Sequence, residues 1–128
     1  MKVKTDTKEK FHAITVAETS LSADMAAELT DLLLPDLQID VKNIILNLKE
    51  LQSLDETAAQ KLVKLQQNFY EHNASFVICE MQKPVEDFLD SNNLLEIMNT
   101  TPTESEAGDI VQMEEIEREL MDGDSSAL

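Results

Sequence analysis

Between Val41 and Phe69 the chain reads VKNIILNLKELQSLDETAAQKLVKLQQNF, and its hydrophobic pattern changes period part-way through. Ile44, Ile45, Leu46 and Leu48 form a short apolar run that includes two β-branched residues, the pattern of a strand covered on both faces. Lys49 to Leu54 is a short connection. From Asp55 onward, Ala58, Leu62, Leu65 and Phe69 recur at spacings of four, three and four. That period gathers them on one helix face and leaves Lys61, Lys64 and Gln67 to water. The pattern predicts a buried strand feeding a helix whose first turn carries Asp55, Glu56 and Thr57. In open α/β sheets that edge is where function usually collects.

The same reading extends in both directions. Val3, flanked by lysines, suits an edge strand, and Phe11, Ile14, Thr15 and Val16 give Lys10 to Glu18 a high β propensity. The polar Asp6 to Glu9 between them fits a hairpin turn. Ser22 is a helix N-cap candidate, followed by an apolar face of Met25, Ala26, Leu29, Leu32 and Leu33 that Pro35 ends. Ser75 to Cys79 reads as a second buried strand, which completes a right-handed βαβ unit. A helix from about Pro84 to Ser91 buries Val85, Phe88 and Leu89 and has proline in its first turn. Leu94 to Met98 is expected as a short strand at the sheet edge. The last helix, Thr103 to Met121, is expected to pack on the sheet through Ile110, Met113, Ile116 and Leu120, the alternative being that it presents that stripe to a second copy. Residues 122–128 are expected to form a flexible acidic tail. No internal repeat stands out. The sum is an α/β fold: one domain over residues 1–121, with a mixed central β-sheet of about four to five strands covered by about four helices.

Charge narrows the functional classes. The 128 residues carry 26 acidic and 10 basic side chains, a formal net charge of −16. A field of that sign repels nucleic-acid backbones and anionic membrane surfaces, so a protein partner that is basic where it touches is the better expectation. Met1 to Lys10 lacks the apolar centre of a signal peptide, and no stretch has the apolar length of a membrane span, so a cytoplasmic location is expected. The single cysteine, Cys79, lies in an apolar run and reads as a small buried hydrophobe.

Catalytic signatures are sparse. The two glycines, Gly108 and Gly123, exclude a glycine-rich phosphate loop, and no G-x-S-x-G turn is present. His12 and His72 have no partners at metal-ligand spacing. The run Glu114, Glu115, Glu117 and Glu119 reads as the solvated face of a helix. Neither a metal nor a cofactor is expected, nor an enzyme. An acid/base pair of Asp55 and Glu56 is disfavoured because adjacent residues at a helix start point in different directions.

Three stretches carry a likeness to a known family: Asn43 to Leu51, Leu54 to Ala58, and Phe76 to Cys79 followed by Pro84-Val85 and Phe88-Leu89. Together with Asn93 to Met98 they resemble the STAS domain family, the bacterial anti-sigma-factor antagonists and their relatives. The resemblance implies a regulatory module that binds a protein partner, an anti-sigma factor that is also a serine kinase of the histidine-kinase-like ATPase type. It also implies a binding and switch edge at Asp55, Glu56, Thr57 and Ala58. In the family this helix start reads Asp-Ser-Ser or Thr-Gly, and the partner phosphorylates the first serine. Here Asp55 and Thr57 match, Glu56 stands at the phosphorylated position and Ala58 replaces the glycine. Glu56 supplies one negative charge where phosphoserine supplies about −1.5 to −2, and no kinase can switch it. Thr57 is the remaining hydroxyl of the motif able to accept phosphate. The alternatives are a STAS-like small-ligand sensor or a scaffold outside any sigma-factor pathway. A monomer or weak homodimer is expected.

Overall fold

A computed structural model describes the backbone of residues 1–127 and the side chains of residues 1–121. The tail expected at 122–128 lies outside the fully described residues. β1 (Val3–Thr7) and β2 (Phe11–Val16) form the expected hairpin, with Val3 opposite Val16. A two-residue strand β3 (Ser20–Leu21) precedes α1 (Ala23–Leu33), which gives way at Pro35 to a 3-10 turn over Leu34–Gln38. Then come β4 (Asn43–Asn47), a second short strand β5 (Ser53–Leu54) and α2 (Glu56–Glu71). β6 (Phe76–Cys79), α3 (Lys83–Ser91), β7 (Thr100–Thr101) and α4 (Glu104–Ala127) complete the chain.

The main sheet has the order β1-β2-β4-β6-β7, parallel throughout except for β1. β4 is central, and its five residues are all buried. Alternation along it splits the core in two. Ile44 and Leu46, with Phe76 and Ile78 of β6, join Leu29, Leu62, Phe69, Val85 and Leu89 on the side of α1, α2 and α3. Ile45, Val77 and Cys79 meet Ala107 and Val111 of α4 on the other. Cover on both faces is why the run reads as continuously apolar. Among the described residues no helix is long and apolar enough to cross a membrane.

Three expectations are corrected. Leu94 to Met98 is not a strand: a 3-10 turn occupies Leu95–Ile97, and the edge strand is β7. Asn93 adopts left-handed φ (59°) as α3 ends, and the N–H of Leu94 turns back to the carbonyl of Leu89. The Gln66 side chain then takes the backbone groups that a strand would need. Its Nε2 donates to the Ile97 carbonyl at 3.1 Å, and its Oε1 accepts from the Asn99 N–H at 2.8 Å. Sheet pairing starts only afterwards.

The second correction concerns α4. Among its described side chains the buried ones are Ala107 and Val111, while Met113, Ile116 and Leu120 face solvent. Polar anchors fix this rotation. Tyr70 donates to Glu114, Asn43 donates to Glu115, and Arg118 donates to Asn43 and Ser75. These partners share the Ala107 and Val111 face, so turning the apolar stripe inward would break all of them. The third correction is smaller: Leu32 is half exposed, because Ala26, Leu29 and Leu33 already fill the face of α1 against α2.

Candidate functional site

The connections after β2 and β4 leave the same end of the parallel sheet, and the structure ties them together there. β3 and β5 pair in parallel, Ser20 with Ser53 and Leu21 with Leu54. The Thr19 carbonyl accepts from the N–H groups of Gln52 and Ser53, and the Leu21 carbonyl accepts from Asp55 N–H. Leu21 and Leu54 are buried, which pins the ribbon to the core. The next residue on each strand is a helix N-cap. Ser22 Oγ accepts from Met25 N–H at 3.3 Å, and Asp55 Oδ1 accepts from Ala58 N–H at 2.7 Å. Thus α1 and α2 begin side by side.

Asp55 serves both. Its second oxygen, Oδ2, accepts from the Ala23 N–H of α1 at 3.3 Å. One carboxylate therefore neutralises the positive ends of two helix dipoles, a geometry that favours a fixed anion. Glu56 adds a second negative charge in the first turn of α2 and is exposed, with Gln60 Nε2 donating to it at 3.4 Å. Thr57 is exposed beside it, as are Ser20, Ser22 and Ser53. Ser20, Ser22, Ser53 and Asp55 with the two leucines line an open recess of about 320 Å³. Further along the same two helices, Thr30, Asp31, Lys61 and Lys64 line a groove of about 260 Å³.

Of the four residues expected at this edge, Asp55, Glu56 and Thr57 reach solvent and Ala58 does not. Ala58 is fully buried and its methyl packs in the core under the helix start. Positive φ occurs elsewhere, at Asn73, Glu80 and Asn93, so this helix start does not require glycine. Ala58 shapes the edge from beneath.

The two histidines lie away from this corner, and the cysteine is buried. His12 bridges Thr7 Oγ1 and the Val41 carbonyl, both at 2.9 Å, at the opposite end of the strands. His72 contacts the Asn68 carbonyl at the end of α2. Burial pushes the Cys79 thiol up to about 12, with Glu104 and Glu80 adding to the effect, so it is not a thiolate at neutral pH. Among the described residues no cluster of three or more His, Cys, Asp or Glu side chains can hold a metal ion. What the edge offers is an exposed, negatively charged corner with four hydroxyls, those of Ser20, Ser22, Ser53 and Thr57.

The β3–β5 ribbon escapes a periodicity reading because two-residue strands carry no period. A different signal was present: Ser20-Leu21-Ser22 and Ser53-Leu54-Asp55 are near copies, each placed between a main-sheet strand and a helix. That echo marks two equivalent strand-to-helix corners.

The model of the STAS domain family matches residues 3–107. No curated protein matches the chain at a significant level. Among solved structures, a candidate anti-sigma factor antagonist from Thermotoga maritima superposes with a TM-score of 0.72 at 19% identity, covering 86% of this chain and 94% of that one. A serine-to-glutamate variant of RsbS from Moorella thermoacetica gives 0.72 at 16% identity, with 88% and 96% covered. The unphosphorylated form of SpoIIAA, an anti-sigma factor antagonist of Bacillus, gives 0.68 at 16% identity, with 87% and 96% covered. At these identities the superpositions establish a shared fold.

Proposed function

The chain belongs to the STAS domain family, and we propose that it acts as a non-enzymatic regulatory module that binds a protein partner at the corner formed by Ser20 to Ser22 and Ser53 to Thr57. The observation that carries this reading is the pairing of two helix N-termini across Asp55, with Glu56 and Thr57 exposed beside it. The likeness to SpoIIAA, an anti-sigma factor antagonist seen in phosphorylated and unphosphorylated forms, supports seeking an anti-sigma factor as the partner. The family resemblance makes a kinase-type ATPase the form to look for.

In this reading Glu56 occupies the place of the switchable serine. Its carboxylate is a fixed charge of −1 at the start of α2, smaller than that of a phosphate and lacking a third acceptor oxygen. The interaction is therefore set by sequence at this position, and Thr57 is the hydroxyl left for a kinase. Affinity capture from the host lysate with wild type, E56S and E56R baits tests the reading. The expected result is a kinase-type ATPase protein held by wild type or E56S and lost with E56R, whose folding is checked by its melting curve. Identical captured sets from all three baits would overturn it.

A further inference from the structure

The outer face of α4 is unexplained by the fold and lies across the sheet from the Asp55 corner. Met113, Ile116 and Leu120 are 59%, 47% and 63% exposed. Their spacing of three and four places them on one stripe, which half-buried Ile110 extends to about 15 Å of helix, at 1.5 Å per residue. An exposed apolar row of this length on a monomer marks an interaction surface.

Its charge says what fits. Between Glu104 and Met121 the helix carries seven acidic side chains and one cation, Arg118. Arg118 is turned inward to Asn43, Ser75 and Glu115. Glu104, Glu114 and Glu115 also point inward, bonded to Asn47, Tyr70 and Asn43. The outer face keeps Glu106, Asp109, Glu117 and Glu119, all exposed, interspersed with and bordering the stripe. A second copy of this chain would set these acids against themselves, at a cost in repulsion. Residues with apolar side chains at the same spacing and lysines or arginines beside them would meet both features at once.

We propose that this face of α4 docks a basic amphipathic helix of a protein partner, independently of the Asp55 corner. The apolar stripe sets affinity and register, and the four outer acids set orientation and on-rate. The probe is a fluorescein-labelled 18-residue peptide with leucines at three- and four-residue spacing flanked by lysines, beside a scrambled peptide of the same composition. Fluorescence anisotropy is read against wild type, against the uncharged change M113S/I116S/L120S, and against D109K/E117K/E119K. The expected result is that the ordered peptide binds wild type and that each triple variant weakens it about tenfold or more, while the melting curve of the serine variant stays in place. Equal binding of the ordered and scrambled peptides, or of wild type and the serine variant, would reduce the effect to bulk charge and overturn the proposal. So would absence of binding, or a dimer in analytical ultracentrifugation that the serine changes dissolve.

Discussion

Replacing Asp55 with alanine removes one side chain but weakens two helix starts, uncapping α2 and removing a contact from α1, which Ser22 still caps. Asp55 Oδ1 satisfies the Ala58 N–H at 2.7 Å, and loss of such an N-cap costs about 1 kcal/mol, within a range of roughly 0.5–2. Oδ2 reaches the Ala23 N–H at 3.3 Å in an exposed setting, which adds about 0.5 kcal/mol, the low end for a hydrogen bond. The total is about 1.5 kcal/mol. A domain of this size loses roughly 3–6 °C of Tm per kcal/mol, so D55A should melt about 5–9 °C below wild type. Asparagine keeps a carbonyl oxygen able to cap α2, so D55N should recover most of that loss. Because Ser22 caps α1 and Asp55 touches the same first turn, S22A and D55A should not be additive. Urea and thermal unfolding of wild type, D55A, D55N, S22A and the S22A/D55A double variant, with the m-value checked for constancy, give these numbers directly. A D55A loss below about 0.3 kcal/mol, or equal losses for D55A and D55N, would refute the claim that Asp55 holds the two helix starts together.

Other consequences are simpler to state. L46A, in the middle of β4 with its side chain fully buried, should cost about 2–5 kcal/mol by equilibrium unfolding. The hydrogen bond from Asn43, helped by Arg118, holds the Glu115 carboxyl below the usual carboxylate range. A group lowered on folding stabilises above its unfolded pKa, and that contribution disappears as pH falls through its folded value. E115Q should therefore flatten the acid limb of stability against pH, and an unchanged limb would count against the Asn43 contact. Burial pushes Cys79 up to about 12 from 9.0, so here the sign is reversed. The unfolded chain loses this proton first, and stability should decline as pH rises above about 9, less steeply in C79A. At neutral pH a thiol reagent should label Cys79 only at the rate of opening of the core, followed by mass spectrometry with and without urea.

What could be read in advance tracks how much of each element's character is local. β4 and α2 carry their own periods, and the sequence patterns of Ile44 to Leu48 and Ala58 to Phe69 match the buried faces. The failures share a cause. The rotation of α4 is set by Asn43, Tyr70 and Ser75, far away in sequence, so the most apolar stripe on the helix is not the one that faces the sheet. The run Leu94 to Met98 has strand-like composition, but Gln66 of α2 claims its backbone groups. At the candidate site, Asp55, Glu56 and Thr57 were visible as a helix start. The contribution of Ser20 to Ala23 was not, because it depends on a two-residue ribbon. Ala58 has the opposite history: adjacent in sequence to the exposed corner, it is carried inward by the first turn of the helix.

The central claim is that the Asp55 corner touches a protein, and a photo-crosslinking amino acid placed along the surface tests it most directly. Introduced at Thr57 and at Ser53, it should yield a discrete higher-mass adduct when irradiated in the host, and the adduct should vanish when E56R is added. At Gln67, exposed near the far end of α2, it should yield none. Adducts at Gln67 with none at Thr57 or Ser53, or adducts at Thr57 indifferent to E56R, would contradict the account.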